Sequence, residues 1–340
     1  MNTQPISLIT GATGLAGRAL SKKLLAQGHK LKILVLKGDR LLTEYFALFK
    51  DTPEYANKIE VCEGDITNYE TIAQYFVGVF TVYHVAALVS GDHSRAMYQK
   101  VNVQGTQNVL DACLNAKVNR VITVATADVY GLPNGNEITD TSAYSYWGEP
   151  YADSKIDAAK LVKRYVKEKG LKATLIHPGW VYGPGDQNLI PAIVEMVQSG
   201  TVVTWGAMKT SVLDMIHVDD LANGMLIASQ SDETIGIDII VSDNSEGITF
   251  PDLVTIVGEQ LHCKYKSTHL PYWLMMTIAK MSAVMKKLGL IKCTFLSTTD
   301  VRSFGLVFPF QSKAAKAMGW QRQVDTKKAF ADCVKLADIS

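Results

Sequence analysis

Tyr151 and Lys155 stand four apart in "EPYADSK" (149–155), beside Pro150. Residues at that spacing share one face of a helix, so a phenol and an ammonium would meet the same surroundings. A free phenol, with a pKa near about 10, is a poor acid–base group near neutrality. A neighbouring cation stabilises the phenolate, which turns such a pair into a proton donor and the charge that tunes it. The same spacing also arises on solvent-facing helices. The pair therefore acquires a chemical meaning only from what else the chain brings to it.

A second candidate lies in "TGATGLAG" (10–17), where Gly11, Gly14 and Gly17 are spaced three apart. Glycines there permit a tight turn and let backbone N–H groups approach a pyrophosphate at a helix N-terminus. An ordinary turn with a helix-packing glycine has the same look. Position favours the nucleotide. The loop follows "ISLIT" (6–10), a short β-branched run, and precedes "GRALSKKLLAQG" (17–28), whose helical periodicity stops at Gly28. Strand candidates then recur as "KLKILVL" (30–36), "IEVCEGD" (59–65), "TVYHVAA" (81–87), "RVITVAT" (120–126) and "KATLIHPG" (172–179), with helical stretches between them. That alternation predicts an α/β fold with a parallel sheet covered on both faces. Gly28 and Gly38 read as caps and turns.

Composition narrows the classes. The chain has 340 residues, 47% hydrophobic, with a net charge of +1, so no strong field draws it to nucleic acid or anionic lipid. Cys62, Cys113, Cys263, Cys293 and Cys333 are dispersed, without metal spacing, as in a reducing compartment, and no metal is expected. "MNTQPISLITGATG" lacks the basic flank and apolar core of a secretory signal, and no apolar run is long enough to span a bilayer. The expectation is a cytoplasmic globular protein.

Further motifs follow in order: "EGDITN" (63–68), "VYHVAA" (82–87), "NVQGTQNVLDAC" (102–113), "VITVATADVYG" (121–131), "HPGWVYGPGD" (177–186), "MIHVDDLANGMLIA" (215–228) and "SKAAKAMGW" (312–320). With the G-x-x-G-x-x-G loop and Y-x-x-x-K, this series resembles the extended short-chain dehydrogenases/reductases. The resemblance runs from residue 10 to residue 320. It implies a doubly wound Rossmann fold over 1–182 plus 212–242. A smaller substrate-binding part would come from 183–211 plus 243–340.

The resemblance also implies roles. Thr126, four residues before Tyr130, falls where the family carries its catalytic hydroxyl, usually serine, and Tyr151 lies 25 residues on. Tyr151 would then be the general acid/base and Lys155 its tuning cation and a ribose ligand. Thr126 would orient the carbonyl. Asn102 would order a relay water or cap a helix. Coenzyme contacts are implied at Gly11, Thr13, Gly14, Leu15, Ala16 and Gly17, at Asp65 and Ile66, at Ala86 and Ala87, and at Lys155, Pro178 and Val181. The family's acidic position after the second strand holds Val35, and its arginine position Leu36. Lys37 and Arg40 lie just beyond, with Asp39 between them, which tilts the coenzyme from NAD toward NADP.

Substrate class rests on departures. Leu213 stands where many nucleotide-sugar enzymes of the superfamily carry a diphosphate-binding arginine, and His177 replaces the arginine of R-P. Tyr144, Tyr146 and Trp147 precede the catalytic tyrosine, and "PYWLMMTIAKMSAVMKKLGLI" (271–291) is apolar and Met-rich. Such residues suit an adaptable apolar pocket, a core, or a helix touching lipid. The pattern looks like the branch of dihydroflavonol 4-reductases and 3β-hydroxysteroid dehydrogenases. It implies hydride transfer between a nicotinamide and an apolar or aromatic ketone, aldehyde or alcohol. A nucleotide-sugar epimerase or dehydratase is the rival enzyme. A non-catalytic NADP-binding regulator is the rival outside enzymes, though both Tyr151 and Lys155 are retained. A homodimer through the helix "AAKLVKRYVKEKG" (158–170) is compatible with the family. His84 and His217 are expected to satisfy backbone groups, Asp219 and Asp220 to cap a helix, and Cys62 and Cys113 to fill the core.

Overall fold

The structure is a computed structural model that describes residues 4–89, 93–133, 136–243, 248–291 and 296–338; Cys293 lies outside them. Seven parallel strands form the central sheet: β1 (Ile6–Thr10), β2 (Lys30–Val35), β3 (Ile59–Glu63), β4 (Thr81–His84), β5 (Arg120–Val124), β6 (Ala173–Pro178) and β7 (Asp238–Val241). Their spatial order is β7-β6-β5-β4-β1-β2-β3. This is the doubly wound Rossmann arrangement, and its order reverses between β1 and β4.

The central strand shows why the chain chooses this layering. Leu8 and Ile9 are neighbours on β1 and both are completely buried, each in a different core cluster. One cluster joins Ile9 to Leu20 and Leu24 of the Leu15–Ala26 helix and to Met225 of the Val218–Gln230 helix. The other joins Leu8 to Val109 and Leu110 of the Gly105–Asn115 helix and to Val162 of the Pro150–Lys169 helix. Each such side chain removed from water contributes about 1.5–3 kcal/mol. A third cluster gathers Tyr182, Ile193, Trp205, Phe250, Leu253 and Phe330 from the later part of the chain. Cys62 and Cys113 are fully buried, as expected.

The strands are shorter than the sequence pattern suggests, and the shortening matters. Pattern 81–87 ends as a strand at His84 and pattern 120–126 at Val124. Ala86, Ala87 and Thr126 therefore leave the sheet at its carboxyl edge, where the switch point opens. The first helix begins at Leu15, two residues before Gly17, and closes with Gly28 at φ 87°. Gly28 N and His29 N donate to Leu25 O and Leu24 O, the paired bonds of a Schellman cap.

Candidate active site

The glycine loop is shaped for close approach. Gly11 sits at φ 72°, and a Cβ on it would lie 2.8 Å from the backbone of Ala86. A Cβ on Gly17 would lie 2.2 Å from the Gly11 carbonyl oxygen. Only glycine lets β1, β4 and the first helix meet there. Gly14 is the N-cap residue of that helix and no side chain caps it. The first N–H groups, at Leu15 and Ala16, have no intrahelical acceptor and carry the positive end of the helix dipole. These features fit a dinucleotide pyrophosphate.

The remaining coenzyme candidates ring the same edge. Thr13 donates to Asp39 Oδ2 at 2.7 Å, and Asp39 Oδ1 accepts from Leu41 N at 2.9 Å. Lys37 and Arg40 are exposed on either side. Asp65 follows β3 and accepts from Thr67 N, while Ile66 is buried against the spot where a Cβ of Gly105 would stand. Ala86 N donates to Thr10 Oγ1 at 3.1 Å, and Ala87 follows it, partly buried. Pro178 ends β6, and Val181 lies in the short Trp180–Tyr182 strand.

Tyr151 and Lys155 occupy the first two turns of the Pro150–Lys169 helix. Pro150 starts that helix, and Glu149 Oε2 caps it by accepting from Ala152 N at 2.6 Å. Lys155 is buried and its Nζ donates to Val124 O at 2.8 Å. Burial lowers its pKa to about 8. Thr126, just past β5, opposes the rise in the Tyr151 pKa and donates to Asp128 Oδ2 at 3.0 Å. The three sequence-predicted residues are thus brought to one edge of the sheet.

Two expectations change here. Lys155 was expected to depress the Tyr151 pKa, yet in the chain alone burial pushes the phenol up, with Asp128 adding to the rise and Thr126 opposing it. Asn102 does not cap a helix in this arrangement. It lies within the π-helical Gln99–Gln104 turn, where its Oδ1 accepts from Leu88 N at 2.8 Å. Its Nδ2 donates to Leu88 O and to Ser154 Oγ, and Ser154 Oγ donates to Tyr151 O at 2.6 Å. Asn102 is a bracket between the exit of β4 and the Tyr151 turn.

Asp128 and Asp214 were not singled out from sequence. Burial raises the Asp128 pKa to about 6; Thr126 opposes the rise and Glu149 adds to it. Asp214 is held well above the ordinary carboxylate range, first by burial and then by Asp128 and Asp243. Both Asp214 oxygens are buried without a hydrogen-bond partner. Asp128 follows Thr126 by two residues, and Asp214 precedes "MIHV"; that adjacency was the available signal.

A pocket beside Thr126 takes in both carboxylates and is walled by Trp180, Leu213, Leu306, Phe308 and Phe310. Among the described residues, no lysine or arginine lines it. Leu213 is therefore placed where the sequence reading looked for a diphosphate arginine. Tyr144 and Tyr146 are elsewhere. Tyr144 donates to Asp238 Oδ1 at 2.7 Å and packs on Tyr130 and His177, while Tyr146 is exposed and donates to Asp157.

Other side chains depart from expectation. His84 is held by Thr10 and Thr106 hydroxyls instead of backbone groups, and burial, then Lys155, lowers its pKa to about 3. His217, not Asp219, caps the Val218–Gln230 helix, accepting from Asp219 N. Asp220 instead accepts from Gln323 N and Val324 N.

Comparison with known proteins agrees with this geometry. Residues 7–241 match the NAD-dependent epimerase/dehydratase family. A bovine (Bos taurus) sterol-4-alpha-carboxylate 3-dehydrogenase is 24% identical over 274 residues, covering 78% of this chain and 72% of that protein. A 3-beta-hydroxysteroid dehydrogenase of Mycolicibacterium neoaurum is 30% identical over 236 residues, covering 66% of this chain and 60% of that one. The fold superposes on a dTDP-glucose 4,6-dehydratase of Streptomyces venezuelae solved with NAD, with a TM-score of 0.76, 21% identity, and 98% and 97% of the two chains covered. With a Rossmann switch point, a fitting pyrophosphate loop and this family match together, the chain belongs to the NAD-dependent epimerase/dehydratase family, as an extended short-chain dehydrogenase/reductase acting as an NAD(P)-dependent oxidoreductase on CH–OH groups.

Proposed function

We propose that the protein interconverts a secondary alcohol and a ketone on an apolar ring compound of the 3-hydroxysteroid kind. The observation that carries this reading is the pocket wall: Trp180, Leu213, Leu306, Phe308 and Phe310, with carboxylates and no cation. Apolar walls with a few convergent polar groups suit such a ligand. A nucleoside diphosphate would meet Asp128 and Asp214 with no basic residue to offset them. The names of the bovine and mycobacterial relatives point the same way.

In this reading the 183–211 and 243–340 segments supply the substrate half, and Leu213 with Phe308 and Phe310 holds the ring system. Thr126 orients the reacting oxygen, and Tyr151 donates or accepts its proton. A phenol held above its ordinary pKa is firmly protonated at neutral pH and stands ready as donor. Thr126 opposes the loss of phenolate stability, and Lys155, held by Val124 O, would meet the ribose. Ser154 and Asn102 hold the Tyr151 turn in place. When bound, the nicotinamide coenzyme supplies the hydride and, in oxidised form, a positive charge beside the phenol.

We further propose NAD over NADP. Lys37 and Arg40 were the grounds for NADP. Asp39, about 20 residues past the last loop glycine and bonded by Thr13, offers a carboxylate suited to a ribose 2′-OH and unfavourable to a 2′-phosphate.

The pocket assignment is tested by thermal shift with NAD present. A 3β-hydroxysteroid should raise the melting temperature and UDP-glucose should not, and Leu213→Arg should erase the steroid effect. Stabilisation by UDP-glucose alone would overturn the reading in favour of a sugar-nucleotide enzyme.

A further inference from the structure

The Tyr272–Lys287 helix buries Met275 and Ala279 and turns its other side outward. Positions 273, 277, 281, 284 and 288 recur in steps of four and three, so they form one stripe along the helix. Trp273 and Leu288 on that stripe are each 68% exposed, and Met281 is 60% exposed. Val284 continues the stripe and Leu290 extends it past the helix end, both exposed. Folded monomers seldom leave so continuous an apolar surface in water, and such patches mark interaction sites.

Charge decides what covers it. From residue 260 to residue 299 the sequence holds six lysines and no aspartate or glutamate. The whole chain is +1, so the residues outside that stretch carry a net −5. Lys280 is three from Thr277 and four from Val284, and Lys287 is three from Val284, so both border the apolar stripe; both are exposed. An apolar stripe edged by lysines, within a stretch of sequence that holds no acid, matches the interface of an anionic bilayer. A second copy of the chain would instead set lysines against lysines.

We infer that this helix lies flat on an anionic membrane surface, with Trp273, Met281, Val284, Leu288 and Leu290 sunk into the headgroup boundary and the lysines among the lipid phosphates. Among the described residues no helix is long and apolar enough to cross a membrane, so the helix rests on the bilayer instead of spanning it. Its inner side packs on the Thr298–Gly305 helix, which carries Ser303 of the pocket lining and Phe304, set edge-on to Trp180 with ring centroids 4.4 Å apart. The lipid-facing helix is thus one layer from the pocket, and an apolar substrate would have a short path from the bilayer.

The test is flotation of the full chain with phosphatidylcholine vesicles made with and without phosphatidylserine. Two variants accompany it: Trp273→Ser with Met281→Ser and Leu288→Ser, and separately Lys280→Glu with Lys287→Glu. All changes are at exposed positions, and circular dichroism with a coenzyme melt shift verifies folding. The wild type should float with the anionic vesicles and little with phosphatidylcholine alone. Each lysine lost near an anionic surface lowers binding about fivefold, so the charge variant should lose more than tenfold. The apolar variant should stay at the bottom. Wild type that fails to float, or variants that float equally well, would overturn the inference. So would a dimer, seen by light scattering, that the apolar variant dissolves while no vesicle is bound.

Discussion

The Thr126 hydroxyl donates to the Asp128 carboxylate at 3.0 Å, and the two pull the Tyr151 pKa in opposite directions, so the candidate donor is coupled to an acid that burial raises to about 6. Above that pH the carboxylate draws the Thr126 proton and holds the phenol proton by its charge. Below it, Thr126 is released toward another acceptor. The kcat/KM–pH profile should carry an inflection near pH 6 that Asp128→Asn removes. A profile unchanged by that substitution would separate Asp128 from the proton path.

The same group predicts a stability effect with a definite sign. Its folded pKa is raised from 3.8 to about 6, so the folded state holds more protons than the unfolded chain between those values. Stability therefore falls as pH rises through that window, by up to about 3 kcal/mol, and stays lower above it. Asp128→Asn should melt higher than wild type at pH 7.5, with the advantage gone below pH 4. Equal melting curves at both pH values would refute the burial argument.

Lys155 makes the mirror case. Its folded pKa is lowered from 10.5 to about 8, so the buried ammonium destabilises the fold below pH 8, and the loss fades as pH rises toward 10.5. Lys155→Met should raise the melting temperature of the coenzyme-free protein at pH 7 while cutting turnover by about a hundredfold or more. A variant that loses both stability and activity would mean that the bond to Val124 O outweighs desolvation.

Gly17→Ala should abolish coenzyme binding, because its Cβ would fall 2.2 Å from the Gly11 carbonyl oxygen and backbone must move. Fluorescence titration with NADH measures it. Asp39→Ser tests coenzyme choice, since removing the carboxylate should shift the ratio of NADP to NAD turnover upward by about tenfold, near the value of one charged hydrogen bond. An unchanged ratio would return the choice to Lys37 and Arg40.

The fold and the pair at 151 and 155 were legible because local pattern carries them. Alternating apolar runs place the strands, and the glycines at 11, 14 and 17 mark a turn that tolerates no Cβ at 11 or 17. What the pattern missed depends on contacts distant in sequence. Asp214 becomes a buried carboxylate only because it meets Gly179 and the Asp128 region across the fold. Tyr144 looked like a pocket residue, yet Asp238, 94 positions later, captures its hydroxyl. His84 and Asp220 likewise find partners that no window of local sequence contains. Asn102 was found by its motif, but its work as a bracket requires Leu88 and Ser154 to arrive together.

The most direct measurement is NADH formation from NAD and a 3β-hydroxysteroid, compared between wild type and Tyr151→Phe. Wild type should reduce NAD in step with ketone formed, and Tyr151→Phe should lower kcat about a hundred- to ten-thousandfold while still binding NAD. Turnover of a UDP-sugar without net coenzyme reduction, or full activity in Tyr151→Phe, would contradict the account.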